Sequence, residues 1–233
     1  DNLRVVDSLL IWQRADNAQI NVRDINLTLQ QTEKRQAQLD ISSRVNRDQR
    51  DLAFSMAADI DLQQFPHQIG AKVTQFNYQL VGADIPNGGI QGEGNAQVVY
   101  QQTPAQIAVT QLNVSANNSQ LTGDISASLG AVPGYVVNLN SANLDLDALS
   151  GWQSSTNTAE QPAVTAAPVI ASQVDDRQQN LEALRDFNAQ LNLQAAQLTY
   201  RGMNVTQLAV AADNQRGLLT LHKLCLLYTS PSP

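Results

Sequence analysis

The side chains best suited to metal or nucleophilic chemistry in this sequence are two histidines, His67 and His222, and one cysteine, Cys225. A structural zinc centre draws four Cys or His ligands to one point, and residues this few and this scattered do not supply them. His67 follows Phe65-Pro66 and is expected in a solvated turn. Neither a Gly-x-Ser-x-Gly elbow nor a His-Glu-x-x-His helix motif occurs. The glycines of Gly88-Gly89-Ile90-Gln91-Gly92-Glu93-Gly94 invite a phosphate-cradle reading. Such a cradle needs a helix N-terminus behind it, and the residues that follow, Ala96 to Tyr100, have strand character. A flexible hairpin loop is therefore expected. Arg44, Arg47 and Arg50 have Asp48 and Asp51 among them and predict a solvated, charge-balanced hairpin. Asp145 and Asp147 alternate with Leu144 and Leu146, as the wet face of a strand would. No two acids share an apolar setting that would tune one for proton transfer. No catalytic residue, cofactor site or metal site is expected, and the chain does not read as an enzyme.

The elements that carry these residues are strands. Apolar side chains recur with period two in Ile25-Asn26-Leu27-Thr28-Leu29, Ile107-Ala108-Val109, Leu112-Asn113-Val114 and Leu191-Asn192-Leu193. Turn formers separate the runs at 14–17, 47–50, 86–89, 117–119 and 132–134. The spacing predicts roughly a dozen short strands. Most should pair antiparallel, because the connections are too short for crossover helices. Residues 1–149 thus form one meander segment, 150–174 a flexible polar linker of Ser, Thr, Ala, Gln and Pro, and 175–224 a short helix with further strands. The helix is expected from Asp175-Asp176 followed by Leu181, Leu184 and Phe187 at helical spacing. The run Ile20-Asn21-Val22-Arg23-Asp24 is echoed by Met203-Asn204-Val205-Thr206-Gln207, each after a strand ending in an aromatic, Trp12 or Tyr200. A repeated strand–turn–strand unit suggests an array that elongates.

The chain has 233 residues and a formal net charge of -7, with only three lysines. That balance argues against nucleic acid, which rewards dense positive charge. A body without cysteine suits an oxidising compartment such as the bacterial periplasm. No apolar run approaches the ~20 residues of a membrane helix, and the opening at Asp1 reads as the middle of a larger protein. Residues 225–233 do not continue the strand pattern; they resemble the translation of a sequencing adapter and are set apart as an artefactual tail.

A dozen strands about 4.8 Å apart span on the order of 55 Å. A helix of about twelve residues, ~18 Å long, leaves most of such a sheet uncovered. The sheet must close as a sandwich, or curl and leave an apolar channel for something else to occupy.

Several stretches resemble the AsmA family of enterobacteria. They are Leu9–Trp12 through Ile20–Ile25, Ser42–Leu52, Gln68-Ile69-Gly70 with Phe76–Leu80, Pro168–Ser172, and Leu184–Phe187 through Leu198–Gly202, closing with Gly217-Leu218-Leu219. The likeness covers nearly all of residues 1–224. It implies a periplasmic protein anchored in the inner membrane by one N-terminal helix that this sequence lacks. It also implies kinship with bridge-like lipid transfer proteins, whose long curled sheet holds acyl chains, and a part in outer-membrane biogenesis and porin assembly. The fold expected is mainly β, a long curled antiparallel meander. Trp12, Val22, Leu27, Leu29, Leu198 and Val205 are the candidate lipid-facing groove residues, with phospholipid acyl chains as the partner. The alternative is a periplasmic scaffold for outer-membrane assembly proteins that binds no lipid of its own.

Overall fold

The computed structural model describes residues 1–13, 19–153 and 182–229. The strands are β1 (Asn2–Gln13), β2 (Gln19–Glu33), β3 (Gln36–Arg47), β4 (Arg50–Asp61), β5 (Gln68–Gly82), β6 (Ile90–Gln102), β7 (Ala105–Ala116), β8 (Ser119–Ser128), β9 (Gly134–Asp145), β10 (Asn188–Tyr200), β11 (Met203–Gln215) and β12 (Leu218–Thr229). They form one twelve-stranded sheet in sequence order, with β1 and β12 at its two edges. The curled meander expected from the sequence is what the chain forms, and the sheet does not close into a barrel.

Residues opposite one another in a ladder project from the same side. One row runs Ala37, Ile60, Ala71, Val98, Val109, Ile125, Val137, Leu191, Ala212, Leu221, apolar at every strand from β3 to β12. On the reverse face a row runs Gln30, Gln38, Asp59, Lys72, Gln97, Thr110. The sheet thus has one apolar and one polar face along most of its width.

Simple alternation would not keep them separate. Val22 and Leu27 are an odd number of residues apart and would face opposite ways in a regular strand. The left-handed backbone at Asp24 (φ 53°) inserts an extra residue, and Val22 then pairs with Val45 while Leu27 pairs with Ile41, both on the apolar side. Asp7, Gln111 and Gln207 do the same in β1, β7 and β11, at φ 49°, 50° and 52°. Asn26 satisfies the first two bulges together: its Oδ1 accepts from the Asp7 N–H and its Nδ2 donates to the Asp24 carbonyl. Asp24 and Gln207 occupy equivalent places in the two sequence repeats, so the repeat extends to the bulge itself.

Among the described residues, apart from Gly89 in a loop, the buried ones are Ser43, Ala58, Ser119, Ser141, Ala195 and Asn214, and all six sit on the apolar face. Most lie beside an irregularity in the ladder, where the strand bends and larger neighbours close over a small side chain. Ser43 donates to the Arg23 carbonyl in the β2 bulge (2.9 Å) and Ser141 to that of Gln120 (2.5 Å), so neither hydroxyl is left unpaired. Aromatic rings need the same economy of space. Tyr78 stands opposite Gly92 and donates its hydroxyl to the Ser115 carbonyl, one strand further on, at 2.8 Å. A Cβ at Gly92 would lie 1.9 Å from that carbonyl oxygen. Gly92 and Gly94 therefore belong inside β6, not to the hairpin loop expected from the glycine cluster, and the strand starts at Ile90 instead of near Ala96. His67, by contrast, is exposed in the turn where it was expected.

Ten of the eleven strand pairs are antiparallel, and β9 with β10 is the parallel exception. Asp145 and Asp147 make that exception, and the strand expected through them ends. The Asp145 carboxylate accepts from the Ala148 N–H and caps a single-turn helix α1 (Leu146–Ser150), which Gly151 closes in a left-handed conformation at φ 75°. The Asp147 carboxylate accepts from the backbone N–H groups of Arg201 (2.6 Å) and Gly202 (2.9 Å), tying α1 to the β10–β11 turn. The chain re-enters at the opposite end through a short 3₁₀ turn (Leu184–Asp186), where Asn214 Nδ2 donates to the Leu184 and Phe187 carbonyls and Phe187 meets Tyr135 edge-on. The expected linker and the start of the expected helix fall largely in 154–181, outside the described residues. Past Leu224 the strand runs on through Cys225 to Thr229, paired with β11, where the sequence pattern suggested a stop. The prolines that end a strand come only after it.

Ala58→Leu is expected to destabilise the sheet by about 1–3 kcal/mol through overpacking against Leu39 and Val73. Ala53→Leu, on the polar face, should stay within about 0.5 kcal/mol; urea midpoints measure both. Asp147→Ala should speed amide exchange at Arg201 and Gly202 roughly tenfold or more, since two charge-assisted bonds are lost, with Ala58 amide exchange unchanged as the internal control.

An open apolar sheet face as the candidate functional site

The six residues singled out by sequence all lie on the apolar face. Trp12 pairs with Ile20, Val22 with Leu10, Leu27 with Val5 and Leu29 with Leu3. At the other side Leu198 pairs with Val205 and with Leu144. The bulge at Gln207 keeps Val205 in phase with Val210, because their β12 partners Tyr228 and Leu224 lie four residues apart. Shared face is not shared site: β2 and β10 are eight strand intervals apart, about 38 Å along the sheet. The structure brings Trp12, Val22, Leu27 and Leu29 into one patch and Leu198 with Val205 into another.

Between them lies the floor that sequence reasoning missed. Phe54, Phe76 and Tyr78 form an aromatic run with ring centroids 6.2 and 5.7 Å apart, flanked by Leu52, Met56 and Leu80. The alternation Phe76-Asn77-Tyr78-Gln79-Leu80 was signal enough to find two of these rings. Burial beneath neighbouring side chains raises the Tyr78 phenol above its ordinary value.

Nothing among the described residues covers this face. The described helical pieces are α1, five residues long, the helical residues Glu182 and Ala183, and the three-residue 3₁₀ turn that follows them. Trp12 is 64% exposed, and Leu10 and Leu3, on the same face of β1, are exposed too. A hollow of about 670 Å³ between β7 and β11, lined in part by Gln106, Ser126, Gln190 and Arg216, contains none of the six candidates. The described residues hold no cluster of three or more His, Cys, Asp or Glu side chains placed to bind a metal. No described helix is long and apolar enough to cross a membrane.

Charge gathers where β3 turns into β4. Arg23 approaches Asp51 at 3.7 Å and Arg44 approaches Asp24 at 4.0 Å. Arg47 and Arg50 stand directly opposite one another, in the row of Trp12 and Ile20, at the end of the apolar face. Arg50 grips the Asp84 carboxylate through Nε and Nη2, the shortest contact 2.5 Å. That hydrogen bonding holds Asp84 below the usual carboxylate range and Arg50 further above neutrality than a free guanidinium. Arg47 has only a 3.9 Å contact to Asp48.

No protein-family model matches the chain, and no solved structure matches it. It is 34% identical over 230 residues, 96% of its length, to Protein AsmA of Escherichia coli (strain K12), and spans 37% of that protein. Identity of that extent through a sequence of short, interchangeable strands reflects common descent. The chain belongs to the AsmA family.

Proposed function

We propose that this segment belongs to a periplasmic envelope protein, anchored at the inner membrane, whose apolar sheet face carries phospholipid acyl chains. The observation that supports this is the apolar row crossing ten strands with nothing described above it. A soluble protein seldom leaves so large a contiguous apolar surface unoccupied. Acyl chains, which need apolar contact and no hydrogen bonds, suit a face built from Val, Leu, Ile, Phe and Ala. Transfer is passive: chains slide along the face while headgroups stay in water, and no bond is made or broken. Kinship with AsmA and the part in outer-membrane biogenesis that this kinship implies fit the same picture.

A second reading is a periplasmic scaffold for outer-membrane assembly proteins that binds no lipid of its own.

Full-length protein purified from a bacterial envelope and examined by native mass spectrometry with lipid extraction separates the two. Near-stoichiometric phospholipid is expected. Val22→Asp or Leu27→Asp should cut it at least roughly tenfold in a still-folded protein, since a buried unpaired charge costs more than one decade of affinity. A folded, lipid-free wild type overturns the lipid reading in favour of the scaffold.

A further inference from the structure

Two arginines stand directly opposite one another at the end of the apolar face. Like charges in directly opposed positions are unfavourable. Arg47 and Arg50 flank the two-residue turn Asp48-Gln49, their side chains about half exposed, at 50% and 59%. One row inward come Val22, Val45, Leu52 and Leu80. Trp12, an aromatic with a polar N–H suited to an apolar–water boundary, shares their row. The other two arginines of the cluster, Arg23 and Arg44, also stand opposite one another, but on the polar face beside Asp51 and Asp24.

We infer that Arg47 and Arg50 form a headgroup site for the phosphate of a diacyl lipid whose chains lie on the apolar rows beginning at Val22, Val45 and Leu52. The inference rests on the lipid reading above and adds to it the headgroup chemistry and the end of the face where it binds. A phosphate oxyanion reached by the two guanidiniums accepts several charge-assisted hydrogen bonds. Asp84 already makes the equivalent contact: its carboxylate fills the fork of Arg50 as a phosphate would. Asp84 therefore acts as an internal competitor that holds Arg50 while no lipid is present, and Arg47, with its long contact to Asp48, meets the incoming anion first.

The test titrates full-length protein with dihexanoyl phosphatidic acid, with dihexanoylglycerol, which has the same chains without phosphate, and with inorganic phosphate. Replacing both arginines (R47Q/R50Q) should weaken phosphatidic acid binding roughly tenfold and leave dihexanoylglycerol unchanged; each lost charge-assisted contact accounts for a factor of a few. Asp84→Asn should strengthen phosphatidic acid binding severalfold by freeing Arg50, an outcome that a merely structural ion pair would not produce. If R47Q/R50Q binds phosphatidic acid as tightly as wild type while Leu27→Asp loses both lipids, the headgroup site is wrong and the acyl face stands. If wild type binds neither lipid, both readings fall. Inorganic phosphate bound as tightly as phosphatidic acid would overturn the assignment to a lipid.

Discussion

Side chains along a strand change face at every residue, so a wide sheet keeps one face apolar only if each strand is held in phase with its neighbours. Here that phase is maintained by bulges. A single extra residue at Asp7, Asp24, Gln111 or Gln207 moves everything beyond it to the other side, and the apolar row survives because the shift is built into the apolar spacing. Asp and Gln at these points keep a polar side chain where the ladder is broken, and Asp tolerates the left-handed backbone better than most residues. The rest of the architecture depends on this phasing. It decides which residues touch, where small side chains are required, and which surface a ligand could meet.

The cost of such a design is an incomplete core. Ala58 and Ala195 are the fully buried apolar residues of the described chain, and large side chains such as Leu10 and Leu219 are more than half exposed. A single layer cannot exclude water from both its faces. Stability comes instead from ladder hydrogen bonds, from side chains on the apolar face packing over one another, and from local contacts such as Tyr78 lying across Gly92. The same incompleteness makes the face available for binding, because whatever covers it gains the apolar contact that the protein leaves unmade.

The parallel joint between β9 and β10 interrupts an otherwise continuous meander. An antiparallel neighbour can be reached by a tight turn; a parallel one demands a return along the length of the strand. The two ends of that return are fastened, by Asp147 on the β10–β11 turn and by Asn214 on the carbonyls of Leu184 and Phe187. The two sequence repeats lie on either side of the joint, with matching bulges at Asp24 and Gln207. The unit that repeats is thus a bulged hairpin, indifferent to whether its neighbour runs parallel or antiparallel.

Sequence alone determined the strand-rich class and the meander order, because period two and turn residues are local properties. It also marked apolar alternation within each strand, since each fragment is legible on its own. The relative phase of those fragments was not legible: Val22 and Leu27 differ by an odd number, and only the ladder shows that a bulge reunites them. Asp145 and Asp147 looked like a strand's wet face, and their fate as a helix cap and a turn anchor depended on Ala148, Arg201 and Gly202. Likewise Arg47 and Arg50 read, with Arg44, Asp48 and Asp51, as a charge-balanced hairpin until register placed the two opposite each other and a loop delivered Asp84. Pairing between strands is a property of backbone hydrogen bonds formed across distance in the chain, so only the tertiary structure could decide it.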